Sequence, residues 1–247
     1  MIHTQFNFTE INKYKKIIHC HIFKSAGSYF DFHIKNLGNY YEFNADDDLQ
    51  IRKKNFSLIE IKNNYILSSH AVPLLSELYK DYLWFIIIRD PIERIKSAFI
   101  FEKFHQPYGQ TPGSTKSKDL CINKFFEWRL NSTNHAYVNV YIRTILHITN
   151  DKLDETSVSQ ALQKLEADNI IYCDIKDVEK MIVQILFTND INMKNTTTKI
   201  NQSKNSQEKN EIFEKLDKNL YSELIKKNSH DLQLYNLLFN QHIKNVI

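Results

Sequence analysis

The sequence contains little glycine and proline, with four of each among 247 residues. Glycine permits backbone conformations that other residues avoid and proline fixes one, so both usually mark turns. With so few of them, we expect each one to stand where the backbone or a ligand requires it. Gly27 and Pro91 are of most interest, because each stands where an apolar run gives way to a helical pattern.

Long apolar runs are absent as well. The first residues, MIHTQFNFTEINKYKK, lack the apolar segment of a signal peptide, and no stretch reaches the roughly 18 apolar residues of a membrane-spanning helix. We therefore expect no transmembrane segment and a cytoplasmic location. Cysteine is also scarce: Cys20, Cys121 and Cys173 lie far apart and form no CxxC pair. This pattern predicts reduced core thiols.

Neither sign of charge is in large excess. Lysine and arginine number 32 against 29 acidic residues, which gives a formal net charge of +3. A nucleic-acid-binding surface usually needs a clearer basic excess, so we expect a mixed-charge surface and no nucleic-acid partner. With 42% hydrophobic and 25% charged residues, the composition is that of a globular protein.

One apolar run, Ile17 to Phe23, turns through small residues into a helical pattern. The turn contains one cation and two hydroxyl groups: Lys24, Ser25, Ala26, Gly27 and Ser28. A strand that turns into a helix N-terminus exposes backbone N–H groups, and the helix dipole there favours negative charge. The turn is therefore either an anion site or an ordinary connection in which Ser28 caps the helix.

The order of residues in this turn argues against a Walker A loop, the motif that binds nucleoside triphosphates. A Walker A loop places its Lys and its Ser or Thr after the glycines. Here Lys24 comes first, and no Gly-Lys pair occurs anywhere in the chain.

The clearest strand pattern is Tyr82 to Ile88, a continuous apolar run typical of a central strand covered on both faces. Arg89 follows at its carboxyl end, where ligands of open α/β sheets bind. Pro91 suits the first turn of the next helix, which carries Ser97. The buried face of that helix is predicted to consist of Ile92, Ile95, Phe99 and Phe104.

Arg89 offers a planar, permanently charged fork that suits phosphate, and the Ser97 hydroxyl follows eight residues later. The alternative is an ordinary surface ion pair, either Arg89 with Glu93 or Asp90 with Arg94. Two separate anion sites indicate a single ligand with two separated anionic groups.

Several other segments bear on the fold. Tyr65 to Leu67 predicts a short strand that leads to His70, whereas Gly38 to Asp48 is expected to be a polar connection. Residues 105–119 hold half of the glycines and prolines and predict a long exposed loop. The remainder is mostly helical in pattern, with one more strand in NIIYCD, and it shows no internal repeat or linker. We expect residues 1–247 to form a single domain.

With these residues in place, the sequence resembles a known family. HIFKSAGSYF is similar to the 5′-phosphosulfate loop, usually PKTGGT, of sulfotransferases that use 3′-phosphoadenosine 5′-phosphosulfate (PAPS). FIIIRDPIERIKSAF is similar to their 3′-phosphate motif, including the Arg-to-Ser spacing of eight. The likeness is to the carbohydrate branch, which includes heparan sulfate 2-O- and 6-O-sulfotransferases and bacterial relatives. It implies a P-loop-like, three-layer α/β fold with a mainly parallel central sheet flanked by helices and a helical C-terminal half.

The resemblance also implies roles for individual residues. Lys24 would contact the oxygen that bridges phosphate and sulfate. The loop residues Ser25, Ala26, Gly27 and Ser28 would hold the 5′-phosphate, and Arg89 with Ser97 would hold the 3′-phosphate. Three positions depart from the family pattern, namely Phe23 for Pro, Ser25 for Thr and Ala26 for the first Gly.

His70 occupies the place where carbohydrate sulfotransferases carry their catalytic histidine. A neutral imidazole suits a general base for the acceptor hydroxyl, with His19, His21, His33 or Glu102 as the next candidates. His19 and His21 form a His-x-His pair on one strand face, but a metal site would need a third ligand that the sequence does not locate. We expect them to be strand residues and expect no metal cofactor.

The leading hypothesis is a sulfotransferase that acts on a carbohydrate hydroxyl, with an acceptor pocket built from residues 105–119 and 131–139. A nucleotide kinase or other phosphoryl transferase of the same fold type is the first alternative, and a Mg²⁺ requirement would favour it. A non-catalytic anion-binding protein is the second, and it would bind the nucleotide without transfer.

Overall fold

In a computed structural model of the chain, the structure describes residues 14, 16–35, 39–43, 65–69, 74, 76, 77, 80–132, 137–148, 153–188 and 211–239. Its strands are β1 (Lys16–Cys20), β2 (Asn39–Phe43), β3 (Tyr65–Ser69), β4 (Tyr82–Ile88) and β5 (Ile170–Asp174). Its α-helices are α1 (Gly27–Ile34), α2 (Pro91–Ile100), α3 (Pro112–Asp119), α4 (Ile122–Asn131), α5 (Val140–Leu146), α6 (Ser157–Leu165), α7 (Val178–Thr188), α8 (Lys218–Lys227) and α9 (Ser229–Phe239). A π-helix covers Phe101–His105 and a 3₁₀-helix covers Ile175–Asp177.

The described strands form one five-stranded sheet in the order β2-β3-β1-β4-β5, and every neighbouring pair is parallel. β1 therefore lies at the centre, between β3 and β4. Cys20, its last residue, pairs with Ser69 on one side and with Ile86 on the other. The loops that leave these three strands therefore all start at the carboxyl end of the sheet, where ligands bind in such folds.

Helices cover both faces of the sheet. On one face, Trp84 and Ile86 of β4 pack with α5, α6 and α9; on the other, Leu83 and Phe85 pack with α1 and α7. All residues of β4 are buried, which explains its continuous apolar sequence. The predicted three-layer α/β architecture with a parallel sheet and a helical C-terminal half is confirmed.

The expectation of a polar connection between Gly38 and Asp48 is wrong, because β2 occupies Asn39–Phe43. Its sequence, NYYEF, contains three aromatic residues, which favour strands. The strand lies at the sheet edge, and the acidic and amide residues that follow it hide its short pattern.

The long exposed loop expected at residues 105–119 is also wrong, since α3 occupies more than half of it. Thr111 and Ser114 form a capping box, and Pro112 stands at the first helical position. Two of the residues taken as loop signals, Pro112 and Gly113, are therefore residues of a helix start.

The helix after β4 does not keep one period to its end. It continues into the π-helix, in which successive residues advance by a smaller angle, so a face extrapolated from α2 rotates away. Ile92, Ile95 and Phe99 are buried as predicted, whereas Phe104 is 48% exposed. The assignment of Phe104 to the buried face is wrong for this reason.

A buried polar cluster fixes the π-helix against α4. The Glu102 carboxylate accepts hydrogen bonds from Arg129 at 2.6 Å and from the Tyr137 hydroxyl at 2.7 Å, and all three side chains are buried. Gly113 of α3 lies directly over the ion pair: a Cβ added there would stand 2.0 Å from Glu102 Oε1 and 2.2 Å from Arg129 Nη2. Only glycine fits at position 113, because the helix backbone passes so close to the Glu102–Arg129 ion pair.

The cysteines are all free, and Cys20 and Cys173 are buried as expected. Cys121 is exposed, so the expectation of a core thiol is wrong there; it precedes α4 as its N-cap residue. None of the helices that the structure describes is long and apolar enough to cross a membrane.

Gly113→Ala should destabilise the fold by about 3 kcal/mol or more, because the added methyl group would force apart a buried ion pair. Chemical denaturation measures the free energy of unfolding. Gly109→Ala is the matched control: nothing lies within 4 Å of its Cβ position, and only its φ of +80° is unfavourable, so it should cost about 1–2 kcal/mol. Equal losses in the two variants would contradict the proposed contact.

Candidate active site

The loop after β1 is bent by two residues in the left-handed region. Lys24 has φ 65° and Ala26 has φ 63°, and the Ser25 amide donates to the Ile22 carbonyl at 3.1 Å. Glycine adopts this conformation at no steric cost, whereas other residues are strained by about 1–2 kcal/mol. The geometry thus explains why the related motif carries Gly at the position of Ala26.

Helix α1 starts earlier than the capping alternative requires. Ala26 is its N-cap residue, so Ser28 is the exposed second residue of the helix and does not cap it. The amides of Tyr29 and Phe30 bond to the Ala26 carbonyl. By helix geometry, the amides of Gly27 and Ser28 have no acceptor within the helix, and they are available to an anion.

Gly27 fulfils the expectation that it stands where the backbone requires it. A Cβ added there would lie 2.0 Å from Cδ2 and 2.2 Å from Nε2 of His21. The start of α1 therefore rests directly on the imidazole of His21.

The second loop follows β4 and is shaped by Asp90. Its carboxylate accepts hydrogen bonds from the amides of Ile92 and Glu93, both at 2.9 Å, and so caps α2. Arg94 is fully buried, which rules out the surface pair between Asp90 and Arg94. Glu93 pairs with Lys96 at 2.8 Å rather than with Arg89.

The loop after β1 and the loop after β4 meet at the carboxyl end of the sheet. Nη1 of Arg89 donates to the Lys24 carbonyl at 3.5 Å, and the buried hydroxyl of Tyr141 lies between the loops. That hydroxyl accepts from the Arg89 amide at 3.0 Å and shares a hydrogen bond with the Ser25 hydroxyl at 2.9 Å. Burial raises the pKa of Tyr141 to about 12, so the phenol keeps its proton at neutral pH.

Tyr141 was not identified from the sequence. It lies 116 residues from Ser25 and 52 from Arg89, and in its helical pattern it looks like any core aromatic residue. Its one local signal is its polar tip, because a buried tyrosine usually finds a hydrogen-bond partner.

Lys24 lies over an aromatic ring. Its Nζ stands 4.3 Å from the centroid of Phe101, the first residue of the π-helix, and Phe23 packs edge-on against the same ring at 5.7 Å. The aromatic ring at position 23, where the related motif has Pro, thus supports the ring that faces the Lys24 ammonium. Such a contact is worth about 0.5–2 kcal/mol.

For two predicted site residues, Ser97 and His70, the structure gives less information. Ser97 is buried on α2, two turns after Pro91, and its contact with a 3′-phosphate stays a prediction. His70 lies outside the residues that the structure describes, directly after the last residue of β3. The next candidates for a base, His19, His21, His33 and Glu102, are all buried.

Beneath the first loop lies a buried polar network centred on Asp31. Its Oδ1 accepts from Nδ1 of His19 at 2.7 Å, and its Oδ2 is 3.0 Å from Nδ1 of His21 and accepts from the Ser68 hydroxyl at 2.7 Å. Burial opposes ionisation of Asp31, but the two imidazoles outweigh burial and hold the pKa of Asp31 below its usual range. Burial lowers the pKa of His19, so the pair consists of a carboxylate and a neutral imidazole.

Asp31 is the third residue that a metal site with His19 and His21 lacked in the sequence, since their ligand atoms lie within 4.8 Å of one another. A metal-bound histidine normally donates its second ring nitrogen to a partner. Nε2 of His19 is buried, and no described residue accepts from it. If Nδ1 of His19 carries the proton and donates it to Asp31, Nε2 has only a lone pair, which can be buried without a partner. If Nδ1 bound a metal instead, the proton would move to Nε2, and that N–H would be a buried donor without an acceptor. The surroundings therefore fit hydrogen bonds better than a metal.

Comparisons with known proteins identify a family. A sequence model described as the sulfotransferase family matches residues 8–238. Among solved structures, the chain is similar to the crystal structure of a sulfotransferase from Alicyclobacillus acidocaldarius, at 10% sequence identity and a TM-score of 0.47, over 92% of this chain and 96% of that one. A search of curated proteins gave no match.

Tyr141→Phe should weaken binding of 3′-phosphoadenosine 5′-phosphate (PAP) roughly tenfold, because the Arg89 amide and the Ser25 hydroxyl lose their shared partner. Calorimetric titration measures the affinity. Tyr221→Phe, on the exposed side of α8, is the matched control and should change nothing. Unchanged affinity in Tyr141→Phe would show that the two loops do not depend on the hydroxyl.

Proposed function

Because the chain belongs to the sulfotransferase family, we propose that it transfers the sulfuryl group of PAPS to a hydroxyl group of a carbohydrate acceptor. The observation that carries the proposal is the junction of the two loops through Tyr141. It places the Lys24 loop and the Arg89 loop side by side, as a nucleotide with separate 5′ and 3′ anionic groups requires.

The charges on the two loops support binding of such a nucleotide. Lys24 and Arg89 supply two cations, and the free amides at the start of α1 add the positive end of a helix dipole. The acidic residue next to Arg89, Asp90, accepts hydrogen bonds from two amides of α2, so its charge is directed toward the start of that helix.

The transfer step forms a bond from the acceptor oxygen to sulfur and breaks the bond from sulfur to the bridging oxygen. His70 takes the proton of the acceptor hydroxyl, and Lys24 meets the negative charge that grows on the leaving phosphate. The Phe101 ring packs against the Lys24 ammonium and helps to keep it in place. The remaining rate enhancement comes from positioning.

A carbohydrate acceptor is supported by the aromatic residues that follow Phe101 in the chain. Phe101, which lies under Lys24, is followed by His105, whose ring is 6.3 Å away, and by the exposed rings of Phe104 and Tyr108. Exposed aromatic side chains offer an apolar face and, in tyrosine, a polar tip, as a sugar ring does. We therefore infer that the acceptor meets residues 104–111, which overlap the segment 105–119 predicted for the acceptor pocket; the other predicted segment, 131–139, stays a prediction.

We further propose that residues 1–247 act as one domain in the cytoplasm, in polysaccharide biosynthesis, without a metal cofactor. Free cysteines support a reducing compartment. The sulfuryl group carries less negative charge than a phosphoryl group, and Lys24 with the loop amides takes the part that Mg²⁺ plays in phosphoryl transfer.

PAP should bind about tenfold to over a hundredfold more tightly than AMP, since AMP lacks the 3′-phosphate that Arg89 and Ser97 would hold. Calorimetric titrations in EDTA measure both affinities. Arg89→Ala should remove most of the difference while changing AMP binding little. Equal affinities in the wild-type chain would contradict the proposal, and transfer that stops in EDTA and returns with Mg²⁺ would favour a phosphoryl transferase.

Lys24→Ala and His70→Ala should fail in different ways. Lys24→Ala lowers kcat and also weakens PAP binding, whereas His70→Ala lowers kcat by about 10²–10⁴-fold with PAP affinity nearly unchanged. The wild-type rate should fall as the pH drops below about 6.5, because a protonated imidazole cannot accept the hydroxyl proton. PAP release from PAPS measures the rate, and His230→Ala is the control. Wild-type kcat in His70→Ala would exclude His70 as the base.

A further inference from the structure

Asp31 is a buried carboxylate that contacts three different parts of the site. It is 6% exposed and lies on α1, while its partners come from β1, from the loop that follows β1 and from β3. We propose that Asp31 is a positioning residue that fixes both the phosphosulfate loop and the strand end that carries His70. This inference rests on the proposed function, and it concerns residues that do not touch the substrates.

Asp31 acts through two sets of contacts, which we call the loop arm and the strand arm. The first, the loop arm, connects Asp31 to the phosphosulfate loop through His21. Nδ1 of His21 is 3.0 Å from Asp31 Oδ2, which fixes the orientation of the ring. The opposite edge of the same ring fills the space where Gly27 would have a Cβ. Because Gly27 starts α1, the position of the loop amides depends on how the His21 ring is held.

The second arm reaches β3 through Ser68. Its hydroxyl donates to Asp31 Oδ2 at 2.7 Å and is fully buried. Ser68 pairs with His19 in the parallel ladder, and β3 ends one residue later at Ser69. His70 is the next residue, so the hydrogen bond anchors the chain just before the predicted base.

Proton counting shows why a carboxylate is needed at this position. His19, His21 and Ser68 all direct a polar atom at the two oxygens of Asp31, and an ionised carboxylate accepts from all three at once. Both imidazoles must then carry their proton on Nδ1. An asparagine would offer one acceptor oxygen and two donor hydrogens, so at least one of the three partners would lose its acceptor or change its tautomer.

The test compares Asp31→Asn, Ser68→Ala and His21→Gln with the wild-type full chain. Calorimetry gives the PAP dissociation constant, and single-turnover conversion of PAPS to PAP and sulfate, with water as acceptor, gives the rate. We expect Asp31→Asn to slow conversion about 10²-fold, because small misplacements of reacting groups have effects of this size. Asp168→Asn, an exposed aspartate before β5, is the matched control and should behave as wild type.

The two arms should separate. Ser68→Ala should lower the rate about tenfold with the PAP dissociation constant within twofold of wild type, and His21→Gln should raise that constant about tenfold. A merely structural role would lower the melting temperature in all three variants without this split. If Asp31→Asn does not fold, the two single-arm variants decide the matter.

Nitrogen-15 NMR of labelled histidines provides a second readout that needs no turnover. His19 and His21 should both carry a proton on Nδ1 in the wild-type chain, and His21 should change tautomer or lose its hydrogen bond in Asp31→Asn. Nε2–H tautomers in the wild type, or wild-type rate and affinity in Asp31→Asn, would overturn the inference. A wild-type chain that binds PAP but does not convert PAPS would contradict the proposed function and the Ser68 arm, while His21→Gln would still test the loop arm; a chain that binds no PAP would overturn both.

Discussion

The arrangement of the site depends on one buried hydroxyl, that of Tyr141. The two loops of the proposed anion site leave different strands, so neither loop alone sets the distance between them; their direct contact, from Arg89 to the Lys24 carbonyl, is a long hydrogen bond of 3.5 Å. Tyr141 fixes that distance by bonding to the Arg89 amide and to the Ser25 hydroxyl. A buried phenol of raised pKa stays neutral, so it joins the loops without adding a negative charge beside an anion site.

Tyr141 is in turn held by the C-terminal helix. The Asp231 carboxylate of α9 accepts from the amides of Tyr141 and Ile142, each at 3.0 Å, and thereby caps α5. Asn139, just before α5, returns the contact by accepting from the Asp231 amide at 3.1 Å. Burial raises the pKa of Asp231 to about 6, which the two amides only partly offset. A helix start 90 residues away in the chain therefore sets the position of the residue that joins the loops.

The sequence predicted the parts of the molecule whose physical cause is local. The seven-residue apolar run of β4, the proline at the start of α2, and the small-residue loop after β1 each act within a few residues. The sequence did not reveal Tyr141, Asp31 or the π-helix. The roles of the first two depend on partners brought close only by the fold, and the π-helix breaks the period from which its neighbours were predicted. The short strand β2 was missed because five residues give too little alternation to outweigh polar neighbours.

The strain in the first loop connects these long-range contacts to binding. Lys24 and Ala26 both hold left-handed backbone, which is unfavourable for residues with a Cβ and persists only where the surroundings determine it. Here the surroundings act from every side: Arg89 holds the Lys24 carbonyl, Tyr141 holds Ser25, and the amides of Tyr29 and Phe30 hold Ala26. Because Ala26 stands where glycine would relieve the strain, this chain relies on its distant contacts more than a glycine-containing loop would. If the loop binds an anion as proposed, its bent shape is already set before binding, and binding need not supply the energy of bending it.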